Sequence, residues 1–443
     1  MSTDSADVIV IGAGAAGLAA AAALGRAGRS VLVLEARDRI GGRIWTRLEP
    51  ALAAPVELGA EFIHGESPET AELLRRTGAA AADASGEHWS LIDGRLQQRT
   101  ESLLGKVRAA FEAADVLSQP DMSLEDFLAS PAGRSLPEAA RAMARAFVSG
   151  FDAADPQRVS LHSVAQEWRP GGMLDSSQSR PPGGYHTALL ALAGALDTGR
   201  VHLQLQTVIT SVRWSERSVE VVGRWLGQPY RAEARKAIVI VPLDVLKAPA
   251  GSPGAIDFAP PLEAKQAALE QLLSGPVLKV ALHFHYAFWE ELEDGRYRDA
   301  SFFHAPGKIF PTFWTTLPVR APLMNAWVGG PSAARLCELS DEEIIRQALE
   351  CVSAVFFGGS EAPDLQAAYV HNWARDPYAR GAYSYAAVGG NGARELLATP
   401  LGGTLFFAGE ATDTTGEPAT VTGALRSGAR AALEVSRHFE ERR

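Results

Sequence analysis

Cysteine is nearly missing from this chain of 443 residues, which carries only Cys337 and Cys351. So few thiols exclude a disulfide framework and a cysteine-built metal centre. They leave two buried thiols on or near one helix as the expectation. Basic residues are also in deficit, 42 against 52 acids, for a formal charge of -10. That balance argues against a nucleic-acid partner, and it speaks for a cationic ligand only once the acids are located. Uninterrupted apolar runs are scarce as well. Val8 to Leu24 approaches membrane-spanning length, yet it opens on β-branched residues, carries three glycines and is then mostly alanine. It reads as a strand and a helix, not a membrane span. Acids at Asp4 and Asp7 stand where an export signal needs positive charge, and the terminal SRHFEERR is too polar for a tail anchor. The expectation from these absences is a soluble cytoplasmic protein without membrane partners, of undetermined oligomeric state.

What is present is ordinary globular material, 47% hydrophobic and 21% charged, long enough for two domains with their own cores. The chain is organised around Asp7 to Arg43. An apolar strand (Val8 to Ile11) breaks at Gly12, Gly14 and Gly17, an Ala-rich helix begins near Ala15 and Ala16, and a second apolar run ends on Glu35. This is a βαβ dinucleotide fingerprint. Gly12 permits the tight turn, Gly14 lets backbone approach a pyrophosphate, and Gly17 lets helix and strand pack closely. The helix N-terminus offers unpaired N–H groups to phosphates, and Glu35 is spaced to accept from a ribose. Glu35 disfavours a 2′-phosphate by repulsion, but it does not separate NAD from FAD.

Further along, Pro55 to Gly65 (PVELGAEFIHG) reads as a strand under close backbone approach. Ser67 to Trp168 has helical texture: Leu103, Val107, Ala110 and Phe111 recur at helical spacing, as do Ala139, Met143, Ala146 and Phe147. Strands are expected at Val201 to Val212, Ser218 to Trp225, Ala237 to Val241 and from Pro276. In this last run Leu278, Val280, Leu282 and Phe284 form an apolar face, and Lys279 interrupts the other. A helix from Ser340 to Phe356 carries a capping-box signature, Ser340 with Glu343. Leu405 to Phe407 is a buried strand before a Gly409-Glu410 turn, and a helix with small residues at packing spacing starts near Thr422.

Taken together, these segments resemble the flavin-containing amine oxidase family of monoamine oxidases, polyamine oxidases and lysine-specific demethylases. ARDRIGGR (Ala36 to Arg43), GPVLKVALHF around Lys279, WARDPYARGAYSY around Trp373 and Tyr383, LFFAGEA and EPATVTGA carry the likeness. The resemblance implies an α/β and α+β architecture: a discontinuous, Rossmann-like FAD-binding domain of p-hydroxybenzoate-hydroxylase type (1–75, 186–270 and 395–443). Beside it would stand a mixed-sheet and helical substrate domain (76–185 and 271–394). It implies FAD contacts from the fingerprint, from Ala36, Arg37, Gly42 and Arg43, and from Gly59, Ala60, Glu61 and Phe62. Val208, Trp373, Gly409, Glu410, Ala419, Thr420 and Val421 complete that set. Lys279 matches the lysine that faces flavin through a water, and Tyr383 one wall of an aromatic cage; both are the candidate catalytic residues. His64, Tyr383 and Glu417 are candidates for substrate contact, although a solvated loop acid is the preferred reading of Glu417.

Two departures matter. Ala382 stands where monoamine oxidases carry the cysteine that bonds FAD, which implies a non-covalent cofactor. Glu417 and Thr420 stand where relatives have the second cage aromatic, and the chain lacks the helical insertion of the demethylases, against a histone substrate. The implied activity is oxidation of a small amine, with oxygen reduced to hydrogen peroxide. A desaturase or porphyrinogen-type oxidase on the same fold, and a non-catalytic FAD-binding subunit, are the alternatives, and Lys279 and Tyr383 weigh against both. Burial disfavours a charged lysine, so the environment of Lys279 decides what it does.

Overall fold

Four consecutive β-branched residues are buried on both faces only inside a sheet. In the computed structural model, which describes residues 4–98, 103–172, 175–360 and 364–440, the first strand, Asp4–Ile11, lies between Val31–Leu34 and Gln228–Val239. All three run parallel, Ile9 pairing with Leu32 on one side and Ala237 on the other. Val201–Gln204 continues the sheet beside Val31–Leu34, and Leu405–Phe407 runs parallel to the end of Gln228–Val239. This sheet therefore draws its strands from the beginning, middle and end of the chain. The early part of Gln228–Val239 pairs instead with Ser218–Trp225, which leads to Thr207–Ser215 and Asp257–Ala259.

Side-chain alternation divides the first strand between two cores. Val8 and Val10 pack with the helices Ala15–Arg26, His186–Gly194 and Val421–Glu440, whereas Ile9 and Ile11 pack under the Thr207–Val239 strands. The first and last of those helices cross closely because both are small at the contact. A Cβ on Gly428 would lie 2.2 Å from the Ala16 carbonyl oxygen.

The second sheet has seven strands, and Val277–Phe284 is buried at every position. It pairs antiparallel with Leu323–Gly329 and Leu365–Val370. Leu278, Val280, Leu282 and Phe284 join the main core of this sheet, as the alternation predicts, while Ala281 and Val277 belong to smaller clusters on the other side. At the far edge stand Glu87–Ile92 and Arg95–Gln98, a hairpin inside the stretch expected to be helical. Its turn, Asp93-Gly94, has φ of +49° and +76°, the left-handed pair that a two-residue hairpin requires. The helical periodicity of the flanking residues had hidden that Asp-Gly signal.

From Leu103 on, the helices Leu103–Ala113, Leu124–Ala129, Glu138–Gly150 and Leu161–Glu167 share a core around Trp168. One helix is rotated from the expected face. Ala140, Ala144 and Val148 are its buried residues, and the stripe Met143, Ala146 and Phe147 lines a cavity. Apolar periodicity marks a face turned from water, and a ligand cavity satisfies it as well as a core does. On Asp341–Phe356, Ser340 caps Glu343 N–H at 3.3 Å. The Glu343 carboxylate closes no box, because it pairs with Arg346 and Gln347 instead.

Candidate functional site

A cavity of about 1480 Å³ is lined by both sheets, by the helices between them and by the start of the C-terminal helix. Single-ligand pockets usually hold about 300–1,000 Å³. Here there is room for a dinucleotide and a substrate together. Every residue proposed from the sequence lines this cavity except Gly17. Gly17 acts from behind: its Cβ would lie 1.9 Å from Gly12 O, so only glycine lets the helix sit on the turn. Gly12 has φ +110°, and a Cβ on Gly14 would meet nothing nearer than Gly41 O at 3.9 Å, leaving backbone open to the cavity.

The helix Ala15–Arg26 has no side-chain cap and no acid in its first turn. Its N-terminal N–H groups thus offer partial positive charge to an anion, the donor set that a pyrophosphate requires. Glu35 is buried at the end of its strand, where Oε2 accepts from Ala13 N–H at 2.8 Å and Oε1 from Arg37 N–H at 2.9 Å. It stabilises the glycine turn, and its remaining lone pairs suffice for a ribose. Arg37 pairs with Asp376 at 2.7 Å, tying the fingerprint to the segment that carries Trp373.

Arg43 bonds Glu410 at 2.9 Å and also donates to the Ala382 carbonyl oxygen. Burial would raise the Glu410 pKa, but Arg43, Arg394 and Ser384 outweigh it and hold the carboxyl below its usual range. Gly59 lies under Arg43 and Trp373: a Cβ there would be 1.9 Å from Arg43 O and 3.3 Å from the indole. Trp373 Nε1 donates to Leu58 O at 2.9 Å, so ring and backbone are locked together. At the second helix N-terminus Thr420 Oγ1 accepts from Gly423 N–H at 3.0 Å, and Ala419 is held at φ +62°.

Lys279, which also lines the cavity, bonds the Gly59–Glu61 segment. Its Nζ donates to Gly59 O at 2.9 Å and to Glu61 Oε2 at 3.0 Å. Glu61 also accepts from Arg180 at 2.8 Å and from Trp314 Nε1 at 3.1 Å. Burial pushes Glu61 up, but Lys279 and Arg180 more than reverse this, so it is a carboxylate. A counterion for Lys279 was not visible in the sequence, where Glu61 had looked like one more cofactor contact.

Tyr383 donates its hydroxyl to Phe151 O at 2.5 Å, which fixes the ring at the cavity wall. Burial, then the nearby Asp152, Glu167 and Glu410, keep that phenol protonated. His64 packs edge-on against Phe151, with ring centroids 5.2 Å apart. Burial lowers its pKa to about 4, and its Nδ1 has no hydrogen-bond partner among the described residues. Glu417 lies in a loop, is partly shielded from solvent and lines the cavity, and burial raises its pKa. Asp152, Glu167, Arg180 and Trp314 escaped the sequence reading altogether. Nothing local marks them: Asp152 lies in a bend after Glu138–Gly150, Glu167 and Arg180 lie in the polar elements LHSVAQE and QSR, and Trp314 is one aromatic residue among several in its strands.

Both cysteines are buried, neither lines the cavity, and Ala382 offers no thiol there. Among the described residues no cluster of His, Cys, Asp or Glu is fit to hold a metal ion, and no helix is long and apolar enough to cross a membrane.

A glycine-cradled dinucleotide cavity under a second, lysine-bearing sheet defines a flavin-dependent oxidoreductase. The chain belongs to the flavin containing amine oxidoreductases, whose family model matches residues 15–436. Its cofactor is FAD. The chain is 31% identical to human lysine-specific histone demethylase 2 across 97% of its own length but 53% of that protein's. It thus spans about half of that relative. To polyamine oxidase 2 of Arabidopsis thaliana it is 30% identical, covering 100% of this chain and 90% of the other. Among solved structures a putrescine oxidase superposes with a TM-score of 0.81 at 24% identity, over 98% of this chain and 99% of that one. A cyclohexylamine oxidase from Brevibacterium oxydans superposes with a TM-score of 0.77 at 23% identity, over 98% and 99%. At those identities the likeness is one of fold.

Proposed function

We propose that the protein oxidises a small amine at its C–N bond, yielding an imine that hydrolyses to an aldehyde or ketone, with oxygen reduced to hydrogen peroxide. The observation that carries this is the convergence of Lys279, Tyr383 and the glycine cradle on one cavity. FAD, when bound, supplies the hydride acceptor and the route for electrons to oxygen. Segments 1–75, 186–270 and 395–443 hold it; segments 76–185 and 271–394 hold the substrate.

Within this reading each side chain has a bounded task. The Gly12 to Gly17 turn and the helix behind it take the pyrophosphate, Glu35 takes a ribose, and Arg43 with Glu410 fixes the backbone near Ala382. Val208, Trp373, Gly42, Ala60, Phe62, Gly409 and Ala419 to Val421 line the same cavity and would pack around the cofactor. Tyr383 presents an electron-rich face to the amine nitrogen, which attracts a polar or cationic group. Lys279 has three donors, two of them engaged by Gly59 and Glu61. Among the described residues no other acceptor meets the third, which leaves it for a water beside the reacting centre. His64, neutral at pH 7, contributes a ring nitrogen without adding charge.

A peroxide-coupled screen of monoamines, diamines, polyamines and amino acids tests the reading. Turnover of at least one amine class is the expected result. A yellow, FAD-loaded protein that neither releases peroxide nor bleaches anaerobically with any amine would overturn it.

A further inference from the structure

Tyr383 stands on a short ribbon and belongs to neither large sheet. Its strand, Tyr383–Ala386, pairs antiparallel with Leu272–Gly275 alone. Side chains alternate along it between partly exposed (Tyr383, Tyr385) and buried (Ser384, Ala386). A two-stranded ribbon is marginally stable by itself, so the place of the Tyr383 ring depends on what grips the neighbouring backbone. On one side Arg43 donates to the Ala382 carbonyl oxygen, and at the tip of the ring the hydroxyl donates to Phe151 O. On the other side stands Ser384.

All three polar groups of Ser384 are engaged. Its N–H and its hydroxyl donate to Glu410 Oε2 at 3.3 Å and 2.6 Å. Arg394 donates through one terminal nitrogen to Ser384 Oγ at 2.7 Å and through the other to Ser384 O at 3.1 Å. A planar guanidinium spans the hydroxyl and the carbonyl of one residue in this way, and an ammonium, a single point charge, does not. The first nitrogen also donates to Ala411 O at 3.3 Å. Arg394 is brought to the ribbon by the helix Ala393–Ala398, whose Ala393 and Leu397 share a core with Leu272 and Ala386 of the two strands. Helix and ribbon are thus packed as one unit, and the fork closes on the residue directly after the tyrosine.

We propose that Arg394 is a positioning residue for amine oxidation: gripping Ser384 by its hydroxyl and carbonyl, together with Glu410, it sets where the Tyr383 ring stands at the cavity wall. This rests on the amine-oxidation reading and adds to it a residue that touches no substrate. A displacement of about 1 Å in a group that orients the reacting atoms can cost about 100-fold in rate, so a grip behind the strand is felt at the ring in front of it.

The test follows flavin reduction by stopped flow in the FAD-loaded enzyme, with the fastest of n-butylamine, benzylamine and 1,4-diaminobutane as reductant. Arg394→Lys keeps the charge and removes the fork. It is expected to lower the limiting reduction rate at least about fivefold with FAD content unchanged, and to speed amide hydrogen exchange over Ala382 to Ala386. In a Tyr383→Ala background the same substitution is expected to cost less than about twofold, because residues that act through one another are not additive. An unchanged rate in Arg394→Lys overturns the proposal. So does an equal loss in both backgrounds, which would mean that Arg394 acts through Glu410 and the cofactor. Should Arg394→Lys fail to load FAD, Ser384→Ala, which removes one acceptor of the fork, takes its place in the same comparison and is read by the same outcomes. If amines reduce the wild type and the variant alike, only the positioning role falls; if no amine reduces the flavin, the amine-oxidation reading falls and takes that role with it.

Discussion

Lys279 Nζ lies 3.0 Å from Glu61 Oε2, and both side chains are more than nine-tenths shielded from solvent. Removing one member of a buried pair leaves the other charge uncompensated, which typically costs about 3–5 kcal/mol. Lys279→Met and Glu61→Gln should each lower the melting temperature, and the double variant should lose clearly less than the sum of the two. Additive losses would mean that the pair is not coupled. In stopped flow, Lys279→Met should slow flavin reduction or reoxidation at least tenfold. If neither rate moves, the lysine has no part in the chemistry.

The absence of a thiol at Ala382 predicts how the cofactor leaves. Acid precipitation should release the yellow chromophore completely into the supernatant, and mass spectrometry of the pellet should give the mass of the bare chain. Colour retained in the pellet would point to a bond from another side chain.

The close crossing of the first and last helices predicts a sharp steric limit. With a Cβ at Gly428 placed 2.2 Å from Ala16 O, the obstacle is backbone and cannot rotate away. Gly428→Ala should therefore cost about 1–3 kcal/mol, as overpacking usually does, although alanine favours the helix by about 1 kcal/mol. Because Ala16 also lines the cavity, the variant should bind FAD more weakly as well. A melting temperature and FAD affinity equal to wild type would show that the helices separate freely.

Much of this was legible in the sequence because it is local. The βαβ turn, the alternation around Lys279 and the Leu405 to Phe407 strand are each fixed by a few neighbouring residues, and the cradle follows from them. What was hidden depends on contacts between residues far apart in the chain. Glu61 meets Lys279 across 218 positions, and nothing near either residue announces the other. The helix Glu138–Gly150 misled for another reason, since a wall facing a cavity is as apolar as one facing a core. Asp152 and Glu167 were unremarkable until the fold brought both to one wall.

Glu57 supplies a prediction in pH. It is buried beside the cavity without lining it, accepting from Tyr185 N–H at 2.6 Å and Thr46 Oγ1 at 2.8 Å. Burial outweighs those bonds and the Lys279 charge, and pushes its pKa from 4.5 to about 7. The folded chain thus keeps a proton that the unfolded chain has released between these values. The contribution of Glu57 to stability must fall as pH rises through that window and level off above it. Glu57→Gln fixes the neutral form and keeps an oxygen acceptor, so its melting temperature relative to wild type should rise from pH 4.5 to 7 and stay constant beyond. Other raised acids, Asp152 and Glu167 among them, act equally on both proteins and cancel in the difference. A difference that does not change with pH would mean that Glu57 already carries its charge in the folded protein, with Lys279 compensating it more fully than burial opposes it.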